Sequence, residues 1–507
     1  MRKSVVAVFS AVLFSLAALT QQQDQPSLTI YNQNFAVVRQ TVPLDLKAGV
    51  NHVTYSNITA HAEPDSVVLR DLRGGRLQIL EQNYRNDPIS EGLLLSLFEG
   101  KTLEFDTGGR DSQGKPITIT GRVIRSGYVP HYEAYQRYGQ QYYQAQMAMV
   151  QGGAGQPIIE VDGRLQFTLP GRPIFPSLGS DTILNPTFDW LVQSSETGHR
   201  EAELSYITGG MSWHADYNIV APESGDVADV VGWVTLDNQS GKSFPESRIK
   251  LMAGDVSKIQ QSNGGRVYAN LVTLEAAAAS DGRVVTEKAF DEYHLYTLER
   301  PTTLRDREVK QVEFLRASNV HANRIYVYDG IKISQQYQGW NMENIRDRAD
   351  YGIESNPKIW VMLEFKNSKD NGLGISLPAG AARLYRRDHD GQMEFTGEDR
   401  LDHTPADETV RFYTGNAFDV VGERRRTWYK TNSQEHWIDE SFEIKLRNHK
   451  KTPVEVRVVE HLYRWSNWTI SQKSDDFKKN DSQTIEFRVQ APPDQEKTVT
   501  YTVHYTW

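Results

Sequence analysis

Along most of the chain, apolar and polar residues alternate with period two, the pattern of strands that bury one face. Leu28 to Tyr31 and Phe35 to Val42 predict two strands joined by Asn32-Gln33-Asn34. Ser66 to Leu72 and Leu77 to Tyr84 flank Arg73-Gly74-Gly75-Arg76, whose composition predicts a hairpin turn. Lys101 to Asp106 and Ile117 to Ile124 add two strands around a Gly-rich loop. Helical periodicity is rare. Ser90 to Phe98 predicts a short helix capped by Ser90 and ended by Gly100. Tyr128, Tyr132, Tyr135, Tyr138 and Tyr142 recur at helical spacing and predict a short helical, Tyr-rich insertion at 128–156 packed on the sheet. A mobile loop is one alternative. An aromatic platform for sugar or peptide, built on Tyr132, Tyr135 and Tyr142, is another.

After Glu201 the alternation sharpens. Strands are predicted at 230–236, 293–298, 310–315, 358–365, 382–386, 442–446, 454–461, 484–489 and 498–505. One arrangement recurs three times. A strand carries an aromatic (Trp233, Trp360, Phe442), ends near an asparagine (Asn238, Asn367, Asn448), turns, and gives way to a second strand. The aromatic-to-asparagine spacings differ, so this is a recurring architecture and not a sequence repeat. Asparagine tolerates the left-handed backbone such turns use.

The expected fold is mainly β: tandem antiparallel β-sandwich domains, Ig-like, with the helical insertion. A chain of 507 residues exceeds what one core usually serves. The expected division is an N-terminal β-rich domain at 26–200, a β-sandwich at 201–345 and a C-terminal β-sandwich at 355–507. The polar stretch 341–357 reads as a junction.

The first twenty residues change the picture of where the chain works. Arg2 and Lys3 precede an uncharged run from Val5 to Leu19, with small residues near its end. These are the marks of a signal peptide, cleaved after Ala17 or Thr20. The run is shorter than the roughly 20 residues a bilayer span needs, so the mature chain is expected to have no transmembrane segment. An uncleaved anchor is the alternative. An exported protein in the periplasm or outside the cell follows.

Cysteine is absent, which excludes disulfides, thiolate metal sites and cysteine nucleophiles. The net charge of −9 argues against nucleic acid as a partner, since that binding rests on Lys and Arg. Familiar motifs fail on inspection. Gly109 to Lys115 has phosphate-loop spacing, but Pro116 stands where Ser or Thr must hold magnesium. Asp388-His389-Asp390-Gly391 resembles part of a calcium loop, but Arg386 and Gly397 fall on its ligand positions. The histidines form no zinc motif, and no Gly-x-Ser-x-Gly elbow occurs. No cofactor or metal is predicted.

Several segments occur in an ordered series. They are Leu204 to Tyr217, Gly232 to Gly241, Leu251 to Val256, Leu377 to Tyr385, Phe395 to Asp399, His403 to Pro405 and Gly415 to Asp419. In order and spacing this series resembles an uncharacterised bacterial domain-of-unknown-function family, related to the C-terminal domain of mucoidy-inhibitor-A-like proteins. The resemblance covers residues 200–507 and, more loosely, Leu28 to Val38. It implies a bacterial exported or envelope-associated protein and supplies no catalytic residues. The coiled-coil insertion of the mucoidy-inhibitor relatives is not evident.

Within these segments Asp216, Glu398, Asp399 and His403 are the candidate catalytic side chains, with turn or capping roles as the alternative. The expected function is a non-catalytic binding or structural component of the cell envelope, with a protein or glycan partner. The alternative is a secreted or periplasmic hydrolase using carboxylates. A pocket gathering the four candidates favours the enzyme; their dispersal on separate turns removes its support.

Overall fold

The computed structural model describes residues 25–86, 89–128, 155–176, 182–254, 285–290, 293–337, 339–346 and 348–507, with a few isolated positions between them. The expected signal segment and Tyr132, Tyr135 and Tyr142 lie outside the described residues. The fold is mainly β, as the alternation predicts. Every strand expected after Glu201 falls within an observed one, and 454–461 coincides with Val454–His461. The short helix Glu91–Leu97 forms as expected, with Ser90 accepting from the Leu93 N–H at 3.1 Å.

Two expectations are corrected. The strands flanking Arg73 to Arg76 do not form a hairpin. Val68–Asp71 pairs with Gly198–Gly209, whereas Leu77–Arg85 pairs with Thr187–Ser194 in a different sheet. Asp71 explains the departure: its buried carboxylate accepts from the Arg73 N–H at 2.8 Å and faces Arg200, turning the chain from one sheet to the other. Nor are the sheets purely antiparallel. Ser27–Tyr31 runs parallel to Phe244–Ala253, Met211–Ala221 to Gly380–Arg387, and Glu308–Asp329 to Val454–His461. A parallel partner needs a long connection, so each pair joins strands remote in sequence.

The three asparagines govern these joins. Asn238, Asn367 and Asn448 are all buried, and each precedes one of the strands just named as a parallel partner. In no case do the two strands around the asparagine pair with each other. The chain turns a corner there, which leaves backbone groups outside any ladder, and the carboxamide satisfies them. Asn238 donates to the carbonyls of Lys242 (2.9 Å) and Arg305 (3.0 Å). Asn367 donates to Ile375 (2.7 Å) and Pro405 (2.8 Å), and Asn448 to Thr452 (2.9 Å) and Pro492 (3.1 Å). Each time, the remote acceptor stands two residues before a residue with positive φ: Arg307, Asp407 and Asp494. The left-handed residue therefore sits on the facing turn, and the asparagine acts through its side chain.

The cores do not divide at the expected domain boundaries. A small core of Leu95, Leu103, Phe105, Val123 and Ile159 lies in the N-terminal region. One large core then runs from Leu28 through Trp190, Trp213 and Phe314 to Phe412, crossing residue 200 and the 341–357 stretch. A third comprises C-terminal residues from Tyr326 to Tyr505. The cause is strand length. Glu308–Asp329 has 22 residues, and places Phe314 and Val320 in the large core but Tyr326 and Tyr328 in the C-terminal one. Thr409–Asn432 does the same with Phe412 and Val420.

Candidate functional site

Met211–Ala221 buries Met211, Trp213, Ala215, Tyr217 and Ile219 in the large core. Its alternate residues therefore point to the other face of the sheet. There the strands run in the order Met393–Leu401, Gly380–Arg387, Met211–Ala221, Val227–Asn238 and Glu308–Asp329. Register sets the side chains of this outer face in rows. One row reads Arg400, Ala381, Asp216, Trp233, Glu313. The next reads Glu398, Arg383, Asn218, Val231, Arg316. Beyond that, Phe395 and Tyr385 meet edge to face at 5.8 Å.

Trp233 is half-buried at the centre of this face. Beside it the Asp216 carboxylate is nearly buried and fully engaged. It accepts from the Thr235 hydroxyl at 2.8 Å and from Arg383 Nη1 at 3.3 Å, and His214 Nε2 lies 3.3 Å away. The Arg383 guanidinium also reaches Glu398 at 3.4 Å, so one cation ties two carboxylates. On the far side of Trp233, Glu313 accepts from Arg316 Nε at 2.8 Å. The result is an aromatic ring rimmed by ion pairs on an open sheet, backed by a packed core.

The four sequence candidates are thus split. Asp216 and Glu398 meet through Arg383. Asp399, one residue on, points to the opposite face and accepts from the backbone N–H groups of Arg400 (2.8 Å) and Tyr413 (2.6 Å). His403 Nδ1 accepts from the Ala379 N–H at 3.2 Å. Asp399 ties its strand to Thr409–Asn432, His403 holds the loop at Ala379, and the four do not share a pocket. Grooves occur elsewhere, one lined by His321, Glu364, Lys366 and Asn371, another by Arg324, Tyr326, Lys450 and Glu455. Among the described residues, no three His, Asp or Glu side chains are placed to hold a metal ion. No helix among them is long and apolar enough to cross a membrane.

Sequence reasoning missed a second set of charges, inside the C-terminal core. Arg424 Nε binds both oxygens of the fully buried Glu460 at 2.9 Å, and Tyr501 donates to the same carboxylate at 2.6 Å. Arg464 Nη2 reaches Glu440 at 2.9 Å, and Arg426 reaches it at 3.0 Å. The same arginines grip the 341–357 stretch by its carbonyls. Arg464 donates to Ile345 (2.8 Å) and Tyr351 (3.1 Å), and Arg424 to Gly352 (2.8 Å). The signal was available: Glu440 and Glu460 occupy the apolar phase of their strands, in step with Ile438 and Phe442 and with Val456 and Val458. A charge at such a position must be paired.

Neither a scan against protein-family models nor a search of curated proteins returns a match to this chain.

Proposed function

We propose that this chain is an exported, non-catalytic binding protein of the bacterial envelope, and that its outer sheet face around Trp233 takes a glycan. One observation carries the reading: a half-buried indole lies between Asp216 and Glu313 in one cross-strand row, with Arg383 and Glu398 in the next. An indole offers a flat apolar surface to a sugar ring, and the accessible Glu398 carboxylate and Arg383 guanidinium accept from and donate to its hydroxyls, with Asp216 holding Arg383 in place. The ion pairs keep these groups oriented before a ligand arrives. The signal-like first twenty residues and the resemblance to an envelope-associated family support the location. Hydrolysis has less support, because Asp399 and His403 are engaged with backbone N–H groups and the Arg383 guanidinium lies against both Asp216 and Glu398.

The test is binding of the mature chain to an array of bacterial envelope glycans, followed by titration of the best ligand. Trp233→Ala is expected to weaken binding about 30-fold, the scale of an aromatic hot spot near 2 kcal/mol. Arg383→Gln is expected to weaken it with the far-UV circular dichroism unchanged. Absence of any glycan ligand, or affinities unchanged in both variants, would overturn the reading. A protein captured on this same face and lost with Trp233→Ala would replace glycan by protein as partner.

A further inference from the structure

Glu308–Asp329 sends Val320 and Ala322 into the large core, and Arg324 stands next in the same phase. Gly380–Arg387 repeats the arrangement: Ala382 and Leu384 enter the large core and Arg386 follows. Each apolar row thus ends in a guanidinium, and a charge in that phase calls for a partner. Two residues past Arg324, the buried Tyr326 belongs to the C-terminal core. Lys450 comes from the Asn448 corner, where the Asn448 carboxamide accepts from its N–H at 3.0 Å. Its Nζ donates to Tyr326 Oη at 2.8 Å, across 124 residues of sequence. Arg324, Tyr326 and Lys450 together line one groove of about 290 Å³.

This groove has donors in excess and no counterion. The Lys450 ammonium has three N–H donors and one hydrogen-bond acceptor, a neutral phenol oxygen. That phenol finds no acceptor for its own proton among the described residues. Arg324, Arg386 and Lys450 form no ion pair with a carboxylate among them either, and Arg386 Nη1 donates to the Glu223 carbonyl at 2.6 Å instead. Glu455, the one acidic residue in the groove wall, accepts from Gln490 Nε2 at 3.5 Å and stands in the opposite phase of its strand from Val454 and Val456. The cations act on one another and on one oxygen. Burial, then the Arg324 charge, holds Arg386 below its ordinary value, and Arg386 feels Tyr326 as well. Burial works to raise the Tyr326 hydroxyl, yet Lys450 and Arg324 together hold it below its usual range.

We propose that Arg324, Lys450 and the Tyr326 hydroxyl bind a phosphate group, free or as a monoester, with Arg386 adding its charge. The site is separate from the glycan face around Trp233. A phosphate brings the two things the groove lacks, negative charge and several acceptor oxygens. Its geometry suits the forked guanidinium, while the ammonium serves as a point charge. A cleft lined by one sign of charge also concentrates such an ion before it binds. The volume is just under the roughly 300 Å³ at which small-molecule sites begin, so it suits an ion or a small ester rather than a large ligand. Pro453 and Val454 in the wall offer the carbon part of an ester an apolar surface.

The experiment titrates the full mature chain with inorganic phosphate and with glycerol 3-phosphate, by calorimetry at constant ionic strength. Saturable binding is expected. Arg324→Gln and Lys450→Gln are each expected to weaken it roughly tenfold or more, the scale of one lost charged hydrogen bond, with the far-UV circular dichroism unchanged. Lys451→Gln removes the same charge one residue away, where the lysine pairs with Asp494 at 3.0 Å. It is expected to leave the affinity within about twofold, as for an exposed surface ion pair. Tighter binding of the ester identifies a phosphorylated ligand, and equal or weaker binding identifies the free ion; both sustain the site. Failure of both probes to bind saturably overturns the proposal. So does affinity retained in Arg324→Gln or Lys450→Gln. An equal loss in Lys451→Gln marks net charge rather than a site, and also overturns it.

Discussion

Asn448→Ala removes one side chain that serves four backbone groups. The carboxamide donates to the carbonyls of Thr452, Ala491 and Pro492 and accepts from the Lys450 N–H, all within 2.9–3.1 Å. Asn448 is 1 % exposed, so water does not simply take its place. At about 1 kcal/mol net per bond, the loss has a ceiling near 4 kcal/mol. Thr452 is exposed and Lys450 half-exposed, so solvent rescues part of the loss. An expected cost of about 2–4 kcal/mol remains, roughly 30- to 1,000-fold in the local opening equilibrium. Hydrogen exchange read by mass spectrometry is the assay, because a chain with three cores does not unfold in one step. Peptides covering 448–456 and 488–496 are expected to lose protection by at least that lower factor, while 228–238 is unchanged. Asn448→Asp is expected to be worse than alanine, since it sets a carboxylate against three carbonyls. Protection within threefold of wild type, with aspartate no worse than alanine, would refute the corner argument.

Two further outcomes follow from the C-terminal core. Arg424→Met leaves Glu460 buried with only the Tyr501 hydroxyl, and is expected to cost about 3–5 kcal/mol in the local opening free energy of peptides covering 424 and 460, read by hydrogen exchange. The double variant Arg424→Met, Glu460→Leu is expected to recover much of that loss; equal losses would show that the charge is not the cause. His461 is held above its ordinary 6.5 chiefly by its hydrogen bond to Asp329, with burial opposing. A raised folded value gives stability that is full below 6.5 and fades as pH rises through the folded value. Melting midpoints of wild type and His461→Gln should therefore converge towards alkaline pH, and a gap that widens there would contradict the assignment.

Local structure was legible in the sequence because period two is a local signal. The strands after Glu201 and the Ser90 cap needed only neighbouring residues. Partner choice is not local. The Gly-rich turn at 73–76 has hairpin composition, yet Asp71 and Arg200 direct it between sheets. Asn238, Asn367 and Asn448 were visible as a series, but their partners lie 38–67 residues further on and declare themselves only in three dimensions. The same holds for the candidate site. Asp216 and Glu398 were picked for their chemistry, and Arg383, which joins them, had no local mark. Asp399 and His403 were picked for the same reason and turned out to serve backbone N–H groups.

The parallel pairs carry a consequence for how the chain comes together. Ser27–Tyr31 leaves the ribosome early, yet the strand that covers one of its edges ends at Ala253. At 5–20 residues per second, that edge stays open for on the order of 10–40 s. The Met211–Ala221 and Glu308–Asp329 strands wait in turn for Gly380–Arg387 and Val454–His461. Each closure depends on sequence not yet made, so contact order is high, folding is slow, and unpaired strand edges are open to foreign pairing meanwhile. A chain ordered in this way calls for a holding chaperone during synthesis.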